Sequence, residues 1–278
     1  MIERKILRFI TLVAVALCVA CVPAFVSGSS AQERKMDCNG NDHWWGDNYS
    51  GHCEIREQTI SAGGTLSVNG GRNGGISIKG WDRNNVLVRA RIQTGAKTSQ
   101  EAAELARQIR IETGGSQVRA EGPTGVEDQR WAVSYEIYVP QQSDLSLETY
   151  NGGISVADVR GQIEFKAHNG GVSLRRLGGN VRGATTNGGL NVDLAGNRWE
   201  GEGLDAVTTN GGVNILIPEN YSARLESGTR NGGLNLGFPV TVQGRVNKEI
   251  SVDLGSGGAT VRAVTTNGGV TIKRKGQD

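Results

Sequence analysis

Apolar and polar positions alternate in short runs over the second half of the chain, and the runs break at an Asn-Gly-Gly triplet beginning at Asn151, Asn169, Asn187, Asn210, Asn231 and Asn267. Six residues before each Asn stands an aliphatic residue: Leu145, Ile163, Val181, Leu204, Leu225 and Val261. Three after it come Ile154, Val172, Leu190, Val213, Leu234 and Val270, and five after it Val156, Leu174, Val192, Ile215, Leu236 and Ile272. The residues between are polar or small, which is the period-2 signature of half-buried strands. The two glycines shift the parity once, as a corner must. Each copy therefore predicts two short strands joined at Asn-Gly-Gly. Copies 18 to 23 residues apart, matched offset by offset, predict stacked coils rather than independent hairpins. Asn-Gly is also a strong hairpin signal, so an antiparallel meander competes. The matched offsets favour an all-β, β-helix-like solenoid rising about 4.8 Å per coil.

At such a corner the glycine suits a positive φ. Stacked Asn side chains can hydrogen-bond along the column and satisfy corner backbone groups. A second column, two residues before the Asn, is Thr149, Ala167, Thr185, Thr208, Thr229 and Thr265, whose hydroxyls can do the same. Between 244 and 273 a degenerate copy appears, with Ile250, Val252 and Leu254 ahead of Ser256-Gly257-Gly258, followed by the closing Asn267 copy. Atypical terminal repeats are expected of a stack that must seal its ends.

Upstream, residues 55–140 read as a β-rich section with one helix. Strands are expected at Thr65–Val68, Ile76–Ile78, Val86–Ile92, Gln117–Ala120 and Trp131–Val139. The Asn69 and Asn73 triplets look like an early, out-of-phase copy of the repeat. Ala102, Leu105, Ala106 and Ile109 form one face of a helix near 100–110, and Thr98 and Glu101 stand in capping-box spacing. Residues 32–54 have no apolar period and are expected to be a polar loop bounded by Cys38 and Cys53.

Composition changes this picture at the N-terminus. Arg4, Lys5 and Arg8 precede an apolar run from Ile10 to Val26, and Ser29-Ser30-Ala31 offers a signal-peptidase site, so residues 1–31 read as a signal peptide. A permanent anchor and a lipoprotein processed at Cys21 are the alternatives. Removing that segment takes three basic residues and one acidic residue from totals of 30 and 28, leaving 27 of each. A mature chain of zero net charge argues against nucleic acid or an anionic membrane as partner, and it contains no transmembrane segment. Cys38 and Cys53 are its two cysteines and are expected to pair in an exported chain.

The Thr-Thr-Asn-Gly-Gly copies at 185–189, 208–212 and 265–269, the Leu-Gly-Ser-Gly-Gly at 254–258 and the cysteine-bounded leader with its His and Trp residues resemble a family of exported bacterial β-solenoid proteins, classed as candidate adhesins within a domain of unknown function. The resemblance spans nearly the whole mature chain. It implies the fold and a role in adhesion at the cell envelope or in the surroundings.

Little else in the sequence points to chemistry. The chain has three histidines, no Gly-x-Ser-x-Gly elbow and no His-Glu-x-x-His motif. A polysaccharide lyase or hydrolase on a solenoid is the alternative function, and it needs paired carboxylates on one outer face. The outward column five before each Asn instead mixes Glu164, Arg182, Asp205, Glu226 and Arg262, which reads as a cross-rung salt ladder. Asp37, Asp42, His43, Asp47 and His52 lack a rigid metal-ligand spacing, and no metal or cofactor is expected. Trp44 and Trp45 are the candidate binding residues, because adjacent aromatics stack on sugars or partner surfaces; otherwise they plug the end of the stack. Flat Thr rows for ice binding fail, since His168 and Arg230 interrupt them. The sequence thus reads as an exported, non-catalytic binder or scaffold for a glycan or an envelope protein.

Overall fold

The computed structural model describes residues 36–38, 45–46, 48–125, 128–239 and 248–276. The expected signal peptide, Cys21, Asp42, His43, Trp44 and Asp47 lie outside these residues.

The front section contributes β1 (Ser50–Ser61), β2 (Leu66–Asn69), β3 (Ile76–Trp81), β4 (Asn85–Ala96), α1 (Ser99–Gln108), β5 (Arg110–Glu112), β6 (Gln117–Glu121) and β7 (Arg130–Pro140). The first repeats form β8 (Leu145–Thr149) with β9 (Ile154–Ala157), β10 (Arg160–Ala167) with β11 (Val172–Arg175), and β12 (Gly178–Asn187) with β13 (Leu190–Asp193). Then come β14 (Gly203–Asn210) with β15 (Val213–Ile217), β16 (Ala223–Asn231) with β17 (Leu234–Leu236), the lone β18 (Glu249–Leu254), and β19 (Thr260–Asn267) with β20 (Val270–Arg274). Each repeat places one strand in each of two facing sheets, with Asn-Gly-Gly as the corner between them.

One sheet runs β1-β4-β7-β3-β9-β11-β13-β15-β20-β17 and the other β18-β16-β19-β14-β12-β10-β8-β2-β6-β5. The repeat strands pair in parallel, in the register that aligns matched positions: Ile76, Ile154, Val172, Leu190, Val213, Val270 and Leu234 form one file. All are buried except Leu234, half-buried in the end rung. The facing file of Leu145, Ile163, Val181, Leu204, Val261 and Leu225 is buried throughout. The sheets also continue across 140/141, since β2 pairs with β8 and β3 with β9.

Spatial order departs from chain order at the C-terminal end. The Asn267 copy does not close the stack; β19 and β20 insert between the Asn210 rung and the Asn231 rung. Charge gives a physical reason. Chain order would seat Asp205 beside Glu226, and like charges directly opposite are unfavourable. Insertion makes the outward column Glu164, Arg182, Asp205, Arg262, Glu226, alternating in sign at every step. Arg262 Nη1 reaches Asp205 Oδ1 at 2.5 Å. The degenerate copy also differs from expectation. Its strand β18 runs antiparallel to β16, Ala223 opposite Leu254, and buries Ile250, Val252 and Leu254 without adding a coil.

The corners hold an unbroken amide column. Asn151 donates to Asn73, Asn169 to Asn151, Asn187 to Asn169, Asn210 to Asn187, Asn267 to Asn210 and Asn231 to Asn267, all at 2.7–2.9 Å. Inside it, the hydroxyls of Thr149, Thr185, Thr208 and Thr265 donate to Gly74, Gly170, Gly188 and Gly211 carbonyls of the preceding rung at 2.5–2.8 Å. The reason for glycine is different from the one expected. Gly152, Gly170, Gly188, Gly211 and Gly232 do not have positive φ. A Cβ on any of them would stand 2.0–2.1 Å from a carbonyl oxygen of the adjoining rung. Close stacking, not backbone conformation, demands the missing side chain.

Helix α1 begins with the expected capping box, Thr98 and Glu101 each bonding the other's backbone N–H. It buries Ala102, Leu105 and Ala106, and Arg56 from β1 donates to the carbonyls of Ala106 and Ile109 at 2.8 and 2.5 Å. The polar loop expected over residues 32–54 is shorter than the missing apolar period suggested, because Ser50–Glu54 already belong to β1. An edge strand paired along its length with β4 is held by backbone hydrogen bonds and needs no strict alternation. The insertion at 196–203 seats Trp199, 5% exposed, whose indole donates to Gly179 O at 3.0 Å.

An N-terminal aromatic cleft as candidate functional site

The leader is tied to the front of the stack. Cys38 and Cys53 are bonded, with Cα atoms 5.7 Å apart, so residues 36–38 lie beside β1 and β4. Arg89 and Arg91 of β4 donate to the carbonyls of Met36 and Asp37 at 3.5 and 3.3 Å. Arg89 is itself buried between Glu57, at 2.7 Å, and Glu136, its neighbours on β1 and β7. Partial burial raises the Glu54 carboxyl, but hydrogen bonds from Arg56 and His52 outweigh it and hold the group below the usual range. His52 stands 3.3 Å from Glu54. Among the described residues, no three His, Cys, Asp or Glu side chains converge as a metal would require.

Trp45 is half-buried rather than a free-standing ring. It packs on Gly95 of β4, where a Cβ would stand 2.3 Å from Trp45 Cδ1. Gly95 pairs with Arg130 and Thr94 with Trp131, so the indole sits where β7 emerges. Trp131 is also half-buried, and its Nε1 donates to Pro123 O at 2.7 Å, which fixes the ring plane. Facing them is the tight turn 69–74. Gly71 adopts φ +64°, its N–H bonds Asn69 Oδ1 at 2.7 Å, and Gly74 N–H bonds Gly70 O at 3.0 Å. Asn73, the first member of the amide column, opens onto the same space.

The result is a cleft of about 490 Å³ walled by Trp45 and Trp131 and carrying Arg72, Arg119 and Arg130. Arg119 pairs with Glu121 at 2.6 Å. Arg130 lies over the Tyr49 ring, 5.4 Å from its centroid, and donates to its hydroxyl at 3.3 Å. Arg72 is exposed and makes no ion pair with another described residue.

Beyond the 69–71 turn, Tyr150 and His168, the residues that directly follow β8 and β10, stack at 4.4 Å. They sit beside the Glu148–Lys166 pair, 3.5 Å apart, in a depression of about 310 Å³ that shares Asn69 and Gly71 with the cleft. Tyr150 is 50% exposed. Sequence reasoning put His168 in the outward Thr row without recognising its stack on Tyr150, although matched offsets in adjacent coils are the signal for it. It missed Trp131, which shares the parity of Val133, Tyr135, Ile137 and Val139 and so read as core. At the start of β7, however, the ring lies at the edge of the core, half-buried, and also walls the cleft.

Two facing sheets whose repeat strands pair in parallel, rung upon rung, with a helix and a disulfide-tied leader at the front, define a β-solenoid-like class of protein. The chain belongs to the Toastrack family DUF4097, whose model matches residues 49–273. It is similar in structure to a proposed cell adhesion protein from Clostridium sporogenes, at 15% identity and TM-score 0.41, over 81% of this chain and 100% of that one. A proposed adhesin from Bacteroides fragilis is similar at 8% identity and TM-score 0.33, over 80% and 97% of the two chains. A proposed lipid binding protein from Parabacteroides distasonis follows at 9% and 0.34, over 80% and 96%. No curated protein matches the sequence. Among the described residues, no helix is long and apolar enough to cross a membrane.

Proposed function

We propose that this protein is exported and acts without catalysis, as an adhesin or scaffold that binds a glycan or protein of the cell envelope through its N-terminal cleft. The observation that carries the reading is the pair of half-buried indoles, Trp45 and Trp131, opening into about 490 Å³ at the front of an otherwise small-residue, charge-paired surface. Aromatic rings held by a rigid scaffold supply contact area at little entropic cost. A bonded Cys38–Cys53 pair fits an oxidising compartment, in keeping with the N-terminal segment read as a signal peptide. Acidic side chains on the outer column pair with arginines, which suits a stable surface better than a carboxylate dyad.

The test is binding of the mature protein to a glycan and envelope-fraction array, with Trp131→Ala and the Trp44→Ala/Trp45→Ala double variant alongside. Both variants should keep the wild-type far-UV spectrum and lose about tenfold or more in affinity for whichever component binds. Undiminished binding by both would remove the cleft from the site. Oligosaccharide products released by the purified protein would replace the binder with the enzyme.

A further inference from the structure

Resting on that reading, we infer that the ligand of the cleft is an acidic glycan, a chain of carboxylate-bearing sugars of the hexuronate type. Three guanidinium groups border the space, from Arg72, Arg119 and Arg130, and no Asp or Glu is among the described residues that line it. Two of the three are already engaged, Arg119 with Glu121 and Arg130 with Tyr49. Arg72, exposed on the turn opposite the indoles and without an ion-pair partner among the described residues, is the cation left to receive a ligand anion. A guanidinium presents a planar fork that matches a carboxylate bidentately.

The indoles select what carries that carboxylate. Trp131 is locked by its bond to Pro123 O and Trp45 by its seat on Gly95, so each offers a fixed apolar face. A pyranose ring can lay its C–H face on such a surface while its hydroxyls and carboxylate reach outward to Asn73 and Arg72. An acidic polypeptide would supply the charge without the flat ring. A nucleic acid would supply both, but it also needs a continued basic track. Beyond the cleft the outer column alternates sign. The Tyr150–His168 stack lies across the 69–71 turn, where a chain longer than the cleft would continue.

The experiment is isothermal titration of the mature, disulfide-bonded protein with three hexuronate oligomers: oligogalacturonate, oligoalginate and hyaluronan oligosaccharides. The same oligogalacturonate with its carboxyls reduced to alcohols, and poly-glutamate, are the controls. At least one hexuronate should bind, weakening as salt is raised. The reduced oligomer should bind about tenfold more weakly or not at all, and poly-glutamate should not bind. Arg72→Gln should cost about tenfold toward the acidic oligomer. Equal binding of the reduced oligomer would show that charge is not read, and equal binding of poly-glutamate that the sugar is not; either overturns the inference. If no hexuronate binds while an envelope component is captured and Trp131→Ala releases it, the inference fails and the surface-binding reading stands. If neither Trp131→Ala nor the Trp44→Ala/Trp45→Ala variant changes any binding, both fail.

Discussion

The corner glycines allow a sharp test, because neighbours in one triplet are required to respond in opposite directions. In Asn187-Gly188-Gly189 neither glycine has a positive φ, so the backbone alone would accept alanine at both. Space separates them. A Cβ on Gly188 would lie 2.1 Å from Gly170 O and 2.4 Å from Gly170 C, whereas one on Gly189 would lie 3.6 Å from Gly212 O, an ordinary contact. Relieving the first clash means parting two rungs by about 1 Å in a stack with about 4.8 Å spacing. That movement breaks Thr185 Oγ1 to Gly170 O and Asn187 Nδ2 to Asn169 Oδ1, both now 2.7 Å. Two hydrogen bonds at roughly 0.5–1.5 kcal/mol each, plus about 1–3 kcal/mol for overpacking, give a loss of roughly 2–6 kcal/mol for Gly188→Ala. Gly189→Ala should instead gain about 0.4–1 kcal/mol by restricting the unfolded chain. Urea denaturation followed by far-UV circular dichroism measures both, from midpoint and slope. Equal effects at the two positions, or a Gly188→Ala midpoint indistinguishable from wild type, would refute the argument that rung spacing dictates the triplet.

Leu190→Ala, deep in the apolar file, should cost about 2–5 kcal/mol in the same assay; a change below about 1 kcal/mol would place the residue outside the core. Mass spectrometry of unreduced protein recovered from the envelope should show Cys38 and Cys53 bonded, two free thiols would contradict it, and Cys38→Ser should lower stability by about 3 kcal/mol for this 15-residue separation. Hydrogen bonds from Arg176 at 2.6 and 2.7 Å hold the Asp158 carboxyl below its usual range. Its folded value is depressed, so the pair's contribution is complete above the ordinary aspartate range and is lost as pH falls through the lowered value. The stability difference between wild type and Asp158→Asn should therefore shrink from pH 7 to pH 3, and a constant difference would dismiss the linkage.

The apolar files and the amide column were legible because period-2 burial and matched offsets leave one solution once parallel stacking is assumed. The order of rungs was not. Exchanging the Asn231 and Asn267 copies leaves every file apolar, and only Arg262, needed between Asp205 and Glu226, distinguishes the two arrangements. The antiparallel course of β18 was hidden for a related reason: Ile250, Val252 and Leu254 alternate identically whichever way the strand runs. Reading Gly188 as a positive-φ corner failed because a sequence reports that a side chain is missing, not which atom would have met it. At the cleft, Trp45 could be singled out by its cysteine-bounded context. Trp131 could not, since parity reports which face a residue takes and not where along a strand the core stops.

If Trp45 and Trp131 form the contact surface, fluorine NMR of protein carrying 5-fluorotryptophan will report it ring by ring. Trp→Phe variants assign each resonance. Trp199 in the core and Trp81, packed against Tyr138 at 5.4 Å and Arg83 at 4.8 Å, serve as internal controls. Saturation with the captured envelope component should shift the Trp45 and Trp131 resonances and leave those of Trp81 and Trp199 in place. Unmoved Trp45 and Trp131 signals at saturation, with the ligand demonstrably bound, would mean that neither indole touches it.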